Sequence, residues 1–238
     1  MAKKEKYRSL DDHPYWETVK QLPTFQAKVE YTLENWWIPM AGVAILIIII
    51  VSVIIANFVN NVPTYLTGAY VNIYHSDTAP ETPSDYLDRT FLHEELGIPE
   101  DERLTMRCVT NMVLDLSGES VVAESTYNTI TRLDAMIPSG ELDYFLMTSD
   151  LVNGLYDRYG EPFLDLRTFL TAEELELYAD RLHYTKSGVP VGIDISDSTL
   201  LKDMCFSASQ TVCFAWFNYT EKTDHMRPFF DFVMKTLP

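Results

Sequence analysis

The stretch Trp36-Trp37-Ile38-Pro39-Met40-Ala41-Gly42-Val43-Ala44-Ile45-Leu46-Ile47-Ile48-Ile49-Ile50-Val51-Ser52-Val53-Ile54-Ile55-Ala56 divides the chain in two. It carries no charged residue over 21 positions. A helix rises about 1.5 Å per residue, so this run covers about 30 Å, the hydrocarbon thickness of a bilayer. In lipid every backbone N–H and C=O must be paired within the segment, and a helix does so. The alternatives are a buried core helix and a cleaved signal peptide. The run is too long for a signal h-region, 35 residues precede it, and Ile54-Ile55-Ala56 lacks a small residue at −3. No cysteine lies near its end to accept a lipid. The expectation is an uncleaved, single-pass signal anchor over residues 36–58. Residues 1–35 would form a cytoplasmic tail and residues 59–238 an extracytoplasmic domain.

Orientation follows from the basic residues near the span. Lys20 and Lys28 precede it closely, with Lys3, Lys4, Lys6 and Arg8 behind them, while the first basic residue beyond it is Arg89. This asymmetry predicts a plasma-membrane protein with its N-terminus cytoplasmic and its C-terminal domain extracellular. The tail is charge-neutral. The C-terminal part carries the whole formal charge of −17, from 29 acidic and 12 basic residues. An acidic domain without a basic stripe repels phosphate backbones, so nucleic acid is not an expected partner. The expected partner is the bilayer itself, through residues 36–58, together with a transporter or other membrane protein and a small-molecule ligand.

In the tail, Val19, Leu22, Phe25 and Val29 recur at helical spacing around Pro23 and suggest a short amphipathic segment leading to the membrane. Beyond the span, segments of strand and helix character alternate. Thr64 to Asn72, Leu104 to Leu116, Leu142 to Thr148, Val189 to Ser196 and Thr211 to Asn218 read as strands. Ser84 to Leu96, Val121 to Ile137, Leu151 to Tyr159 and Thr171 to about Leu182 read as helices, followed by a last helix capped by Thr223 or Asp224 and reaching Leu237. Asp150 is placed to cap the third of these and Gly160 to close it. Thr171 and Glu174 have capping-box spacing. This alternation predicts one three-layer α/β domain with a mostly parallel sheet.

The run from Gly140 to Asp150, the helix ending at Tyr159-Gly160, Phe163-Leu164-Asp165-Leu166, the capped acidic helix, and Gly188-Val189-Pro190-Val191-Gly192-Ile193 together resemble the first lobe of extracellular solute-binding proteins of the type 2 periplasmic-binding-protein fold. The strand Thr211 to Asn218 and the helix Asp224 to Leu237 are similar to that family's return strand and closing helix. The resemblance covers about residues 64–237. It implies a binding domain, linked to a transport system, without enzymatic activity or cofactor. One departure is large: the family inserts a second lobe where this chain has only the 14 residues Asp197 to Gln210. That puts capture between two lobes in doubt, and a structural or accessory membrane protein that has lost small-molecule binding stays open as the alternative.

Catalytic signatures are absent. There is no Gly-x-Ser-x-Gly, His-Glu-x-x-His, P-loop or Gly-x-Gly-x-x-Gly, and the five histidines are scattered. Asp194, Asp197 and Asp203 lack the spacing of a calcium loop, so no metal is expected. No Cys-x-x-Cys occurs. Cys205 and Cys213 could pair across a turn, or they and Cys108 could be small buried thiols. In an α/β sheet a binding surface lies outside the carboxyl ends of the parallel strands. That places Tyr70, Ser149, Asp150 and Asp194 as ligand-binding candidates. For Asp150 the competing role is helix capping. Trp216 is expected in the core.

Overall fold

The computed structural model describes residues 15–35, 37–60, 62–116 and 123–238. The chain forms two compact units, Met1–Asn61 and Val62–Pro238.

In the first unit, α1 (Tyr15–Gln21) and α2 (Phe25–Asn35) flank Pro23, whose missing N–H and fixed φ break the helix there. Thr18, Leu22 and Tyr31 are buried. Helix α3 (Trp37–Asn60) spans 24 residues of strongly apolar sequence. Its Ile45–Ile55 side chains project outward, with fractional exposures of 45–63 % among the large hydrophobics. Among the residues described throughout, no helix is long and apolar enough to cross a membrane. Within α3 those residues are Ile38 and the 15 from Ala41 to Ile55.

The second unit is a three-layer α/β sandwich. Its strands are β1 (Thr64–Val71), β2 (Ile73–His75), β3 (Thr105–Met112), β4 (Tyr144–Thr148), β5 (Leu182–Tyr184), β6 (Pro190–Asp194), β7 (Phe206–Ala208) and β8 (Val212–Trp216). Six of them form a sheet in the order β3-β1-β4-β8-β6-β5, and β2 pairs with β7 in a separate antiparallel ribbon. Strands β3, β1, β4 and β6 point one way, β8 and β5 the other. The sheet is therefore mixed, mostly parallel in strand direction, with β8 inserted antiparallel between β4 and β6. The helices of this unit are α4 (Pro83–Leu87), a π-helix from Asp88 to Glu95, α5 (Ala123–Met136), α6 (Leu151–Tyr159), α7 (Ala172–Leu177), α8 (Thr199–Asp203) and α9 (Thr223–Met234).

Alternation along the strands builds two cores. Tyr70, Tyr144, Leu146, Phe214 and Trp216 face a layer made by α4, the π-helix, α8 and α9. Ala69, Val71, Phe145, Met147, Cys213 and Ala215 face α5 and α6. Because both faces are covered, β4 and β8 are buried at every position, which explains their unbroken apolar runs. Gly68 exists for packing: a Cβ there would lie 2.2 Å from the Tyr144 ring. Two long-range carboxylates bind the layers. Asp88, at the start of the π-helix, accepts the N–H of Met106 (2.5 Å) and the Thr105 hydroxyl (2.6 Å), and Ser84 accepts the N–H of Cys108 (3.0 Å). These bonds cover the free edge of β3. Asp143 ties β4 to β1 and to the loop before α9.

Several local expectations change. The helix expected from Ser84 to Leu96 is a short α-turn capped by Thr82 that continues as a π-helix. The capping box Thr171–Glu174 is present, but α7 stops at Leu177 and Leu182 already belongs to β5. Gly160 takes the left-handed conformation at φ 64° and closes α6. Asp150 stands at the start of α6 without a side-chain capping bond. Lys222, not Thr223 or Asp224, is the cap residue of α9. The spacing also predicts a turn over Asp115 to Glu119 around Gly118; Gly118 and the helix start at Val121 fall in residues 117–122, outside the described residues. The alternation of Val189, Val191, Ile193 and Ile195 with Pro190, Gly192, Asp194 and Ser196 predicts a half-buried strand, but β8 and β5 flank Pro190–Asp194 and the helical layers cover both faces.

Candidate functional site

The chain leaves β1 toward the α4 layer and leaves β3 and β4 toward the α5–α6 layer. The carboxyl end of β1, between β3 and β4, is therefore the switch point of the sheet, where α/β folds place ligands.

Asn72 organises this end. It adopts φ 58°, a left-handed conformation that asparagine tolerates. Its side chain accepts the N–H of Leu114 (2.8 Å) and donates to the Leu114 carbonyl (2.8 Å), locking the ends of β1 and β3. The turn sends β2 up to pair with β7, with Ile73 opposite Ala208 and His75 opposite Phe206. Phe206 stacks on Tyr70 (5.0 Å between centroids, 17° between planes) and meets His75 edge-on (5.3 Å). Beneath it the Tyr70 and Tyr144 hydroxyls are 3.0 Å apart, and the Cys108 thiol donates to Tyr70 at 3.4 Å.

On the β6 side, Asp194 Oδ1 accepts both the N–H (2.9 Å) and the hydroxyl (2.6 Å) of Ser196. The same hydroxyl oxygen accepts the N–H of Val212 (2.8 Å). Arg181 grips Asp197 through two bonds of 2.7 and 2.9 Å. Between the β2–β7 ribbon and α8 lies a cavity of about 160 Å³, lined by Ile73, Ser196, Lys202, Phe206, Ser207 and Gln210 among others. Two buried polar atoms at this edge, Thr148 Oγ1 and His75 Nε2, have no hydrogen-bond partner.

The four sequence-derived candidates do not converge on one point. Tyr70 is fully buried at 0 % exposure, and its hydroxyl is held inside the core by Tyr144 and Cys108. Ser149 is half-buried and donates its N–H to the Thr211 carbonyl (2.9 Å). Asp150 is exposed. Asp194 is engaged by Ser196, which lines the cavity. Lys202, Phe206 and Gln210, which the sequence reading passed over, line it as well. Their only sequence signal is their position in the 14-residue stretch Asp197 to Gln210.

Burial sets the titration of this region. It pushes the Tyr70 and Tyr144 phenols well above their usual range. It raises the Cys108 thiol to about 11 and moves Cys213 upward as well. Burial also lowers His183, opposed by the nearby Asp194 carboxylate. Hydrogen bonding from Arg181 lowers Asp197. Neither Cys108 nor Cys213 is a thiolate at neutral pH, so neither is an activated nucleophile. All three cysteines are free thiols. Among the described residues no group of three or more His, Cys, Asp or Glu side chains is placed to hold a metal ion. The edge offers hydrogen-bonding groups, one ammonium and an aromatic face.

No family model, curated protein or solved structure matches this chain.

Proposed function

We propose that the chain is a membrane-anchored, extracytoplasmic binding domain without enzymatic activity: a single solute-binding-protein-like lobe that serves a transport system. The carboxyl edge of the sheet carries this reading. There the cavity beside Ser196 and Lys202 lies at the same edge as two buried polar atoms, Thr148 Oγ1 and His75 Nε2, that find no partner within the protein. Buried polar groups are nearly always paired, so such atoms point to water or a bound molecule. The anchor is α3. At 1.5 Å per residue its 24 residues extend about 36 Å, and its outward isoleucines are covered by lipid. The basic residues before α3, with none after it until Arg89, support a cytoplasmic side for α1 and α2 and an outside location for the acidic lobe.

The size of the cavity favours a second reading. About 160 Å³ is below the roughly 300 Å³ at which small-molecule pockets begin, and among the described residues no second lobe closes over it. The same edge would then serve an accessory membrane protein as a contact surface for another protein.

The test uses the full chain in phosphatidylcholine–phosphatidylglycerol nanodiscs. Thermal unfolding is followed by tryptophan fluorescence in the presence of pools of sugars, amino acids and short peptides. A solute that binds the folded state raises Tm. The expected result is a shift with one pool that disappears in Lys202→Ala or Gln210→Ala. No shift with any pool sinks solute binding. The accessory reading then requires a membrane protein that copurifies with the native chain and is lost with the same substitutions.

A further inference from the structure

The first unit contains an apolar stripe that the proposed binding edge leaves unexplained. Phe25, Val29 and Leu33 follow one another at four-residue spacing along α2, so they lie within an 80° sector of its surface. They are 81, 41 and 58 % exposed. The opposite side of α2 is not exposed: Tyr31 is buried, as are Thr18 and Leu22 of the α1 side. The α1–α2 pair is thus folded onto itself and turns its stripe outward. Gln26 and Glu30 line one flank of the stripe, and Lys28 and Thr32 lie on the other.

We propose that α2 lies in the cytoplasmic headgroup layer of the membrane, with Phe25, Val29 and Leu33 inserted among the acyl chains. Chain continuity selects lipid as the occupant. Helix α2 ends at Asn35 and α3 begins at Trp37, so a single residue separates the stripe's helix from the one that enters the bilayer. The last turn of α2 is therefore within a few ångströms of the membrane plane, and lipid is the apolar phase nearest to Leu33. A stripe of large apolar residues with polar flanks is the form that lies in an interface. The attraction is apolar rather than electrostatic. Lys20 and Lys28 are the cations of α1 and α2, and Glu17, Glu30 and Glu34 outweigh them. Helix α2 thereby fixes the angle and depth at which the anchor starts. This inference rests on α3 crossing the membrane.

The test separates the two. In the full chain, Cys108, Cys205 and Cys213 are replaced by alanine. Single cysteines are then introduced as Phe25→Cys, Val29→Cys, Leu33→Cys, Lys20→Cys or Ile48→Cys and spin-labelled. Each protein is reconstituted in phosphatidylcholine–phosphatidylglycerol liposomes, and collision with oxygen is compared with collision with a water-soluble nickel chelate. The Ile48 label reports the anchor and the Lys20 label reports water. The expected result is a severalfold higher oxygen-to-nickel ratio at positions 25, 29 and 33 than at 20, unchanged on raising salt. Aqueous values at the stripe with a lipid value at Ile48 overturn the inference and leave the anchor standing. An aqueous value at Ile48 overturns both. Dipolar broadening between stripe labels shows that a second copy covers the stripe, and that outcome also overturns lipid burial.

Discussion

Asp143 in the loop before β4 accepts the backbone N–H of Thr67 in β1 at 2.7 Å, across 76 positions of sequence. Its carboxylate is 1 % exposed and also receives the Thr220 hydroxyl (2.6 Å) and the Lys222 ammonium (3.0 Å). One side chain therefore joins the sheet centre to the approach of α9. Asp143→Ala leaves a buried N–H and a partly buried ammonium without their acceptor. The expected loss is about 3 kcal/mol in urea unfolding. Lys222→Ala is expected to cost about 1 kcal/mol, because Asp143 keeps two donors. Equal losses would show that the ion pair, not the amide and hydroxyl bonds, does the holding.

Gly68 is the second test of the sheet centre. Alanine there drives a methyl into the Tyr144 ring at 2.2 Å, and that ring is hemmed by Tyr70, Phe214, Trp216 and Phe229. Gly68→Ala is expected to cost about 3 kcal/mol. Tyr144→Leu, which empties that space, should make the double variant more stable than the sum of the single losses. Strict additivity would mean that the backbone, not the ring, resists the methyl.

The edge of β3 gives a site-resolved prediction. Asp88→Ala removes the acceptor of the Met106 N–H and of the Thr105 hydroxyl. Global stability should fall by about 1–2 kcal/mol. Amide exchange at Met106 should accelerate more than at Leu146 in the sheet centre. Uniform acceleration across the sheet would show that Asp88 supports the whole domain rather than this edge.

Glu174 sets an acid limb. The Arg227 guanidinium, with the N–H and hydroxyl of Thr171, holds its carboxyl at about 2. A carboxyl lowered on folding stabilises the native state above its unfolded value near 4.5, and that stabilisation disappears as pH falls toward 2. Wild-type stability should therefore decline over this window, and Glu174→Gln should be less stable than wild type above pH 6 and show a shallower decline below it. Superimposable acid limbs would remove Arg227–Glu174 from the account.

Thiol chemistry should rank the cysteines. Cys108 is raised to about 11 by burial and Cys213 is fully buried, whereas Cys205 is half-exposed in the turn before β7. Iodoacetamide at pH 7.5 should alkylate Cys205 in the native protein, and the other two only in denaturant, as read by peptide mass spectrometry. Native-state alkylation of Cys108 would show that α4 opens over β3.

Much of the α/β layout was legible because buried strands leave unbroken apolar runs. Tyr144 to Thr148 and Val212 to Trp216 announce themselves in this way. Caps with local chemistry, such as Thr171–Glu174 and Gly160, were also legible. What escaped were features set by distant partners. The antiparallel placement of β8 depends on strands far away in sequence. The burial of Tyr70 depends on Phe206, which arrives 136 positions later through the β2–β7 ribbon. The cavity escaped for the same reason, since Ile73 and Lys202 carry no shared local signal.

The position of β8 has a consequence for how the domain is made. Strands β3, β1 and β4 form one half-sheet and β6 and β5 another, and among the described residues the strand Val212–Trp216 alone is bonded to both. From the completion of β4 at residue 148 until residues 212–216 follow, the β4 edge stays bare, and β6 adds a second bare edge from residue 194. Between β6 and β8 the nascent protein therefore carries two open templates at once, each able to pair with other chains.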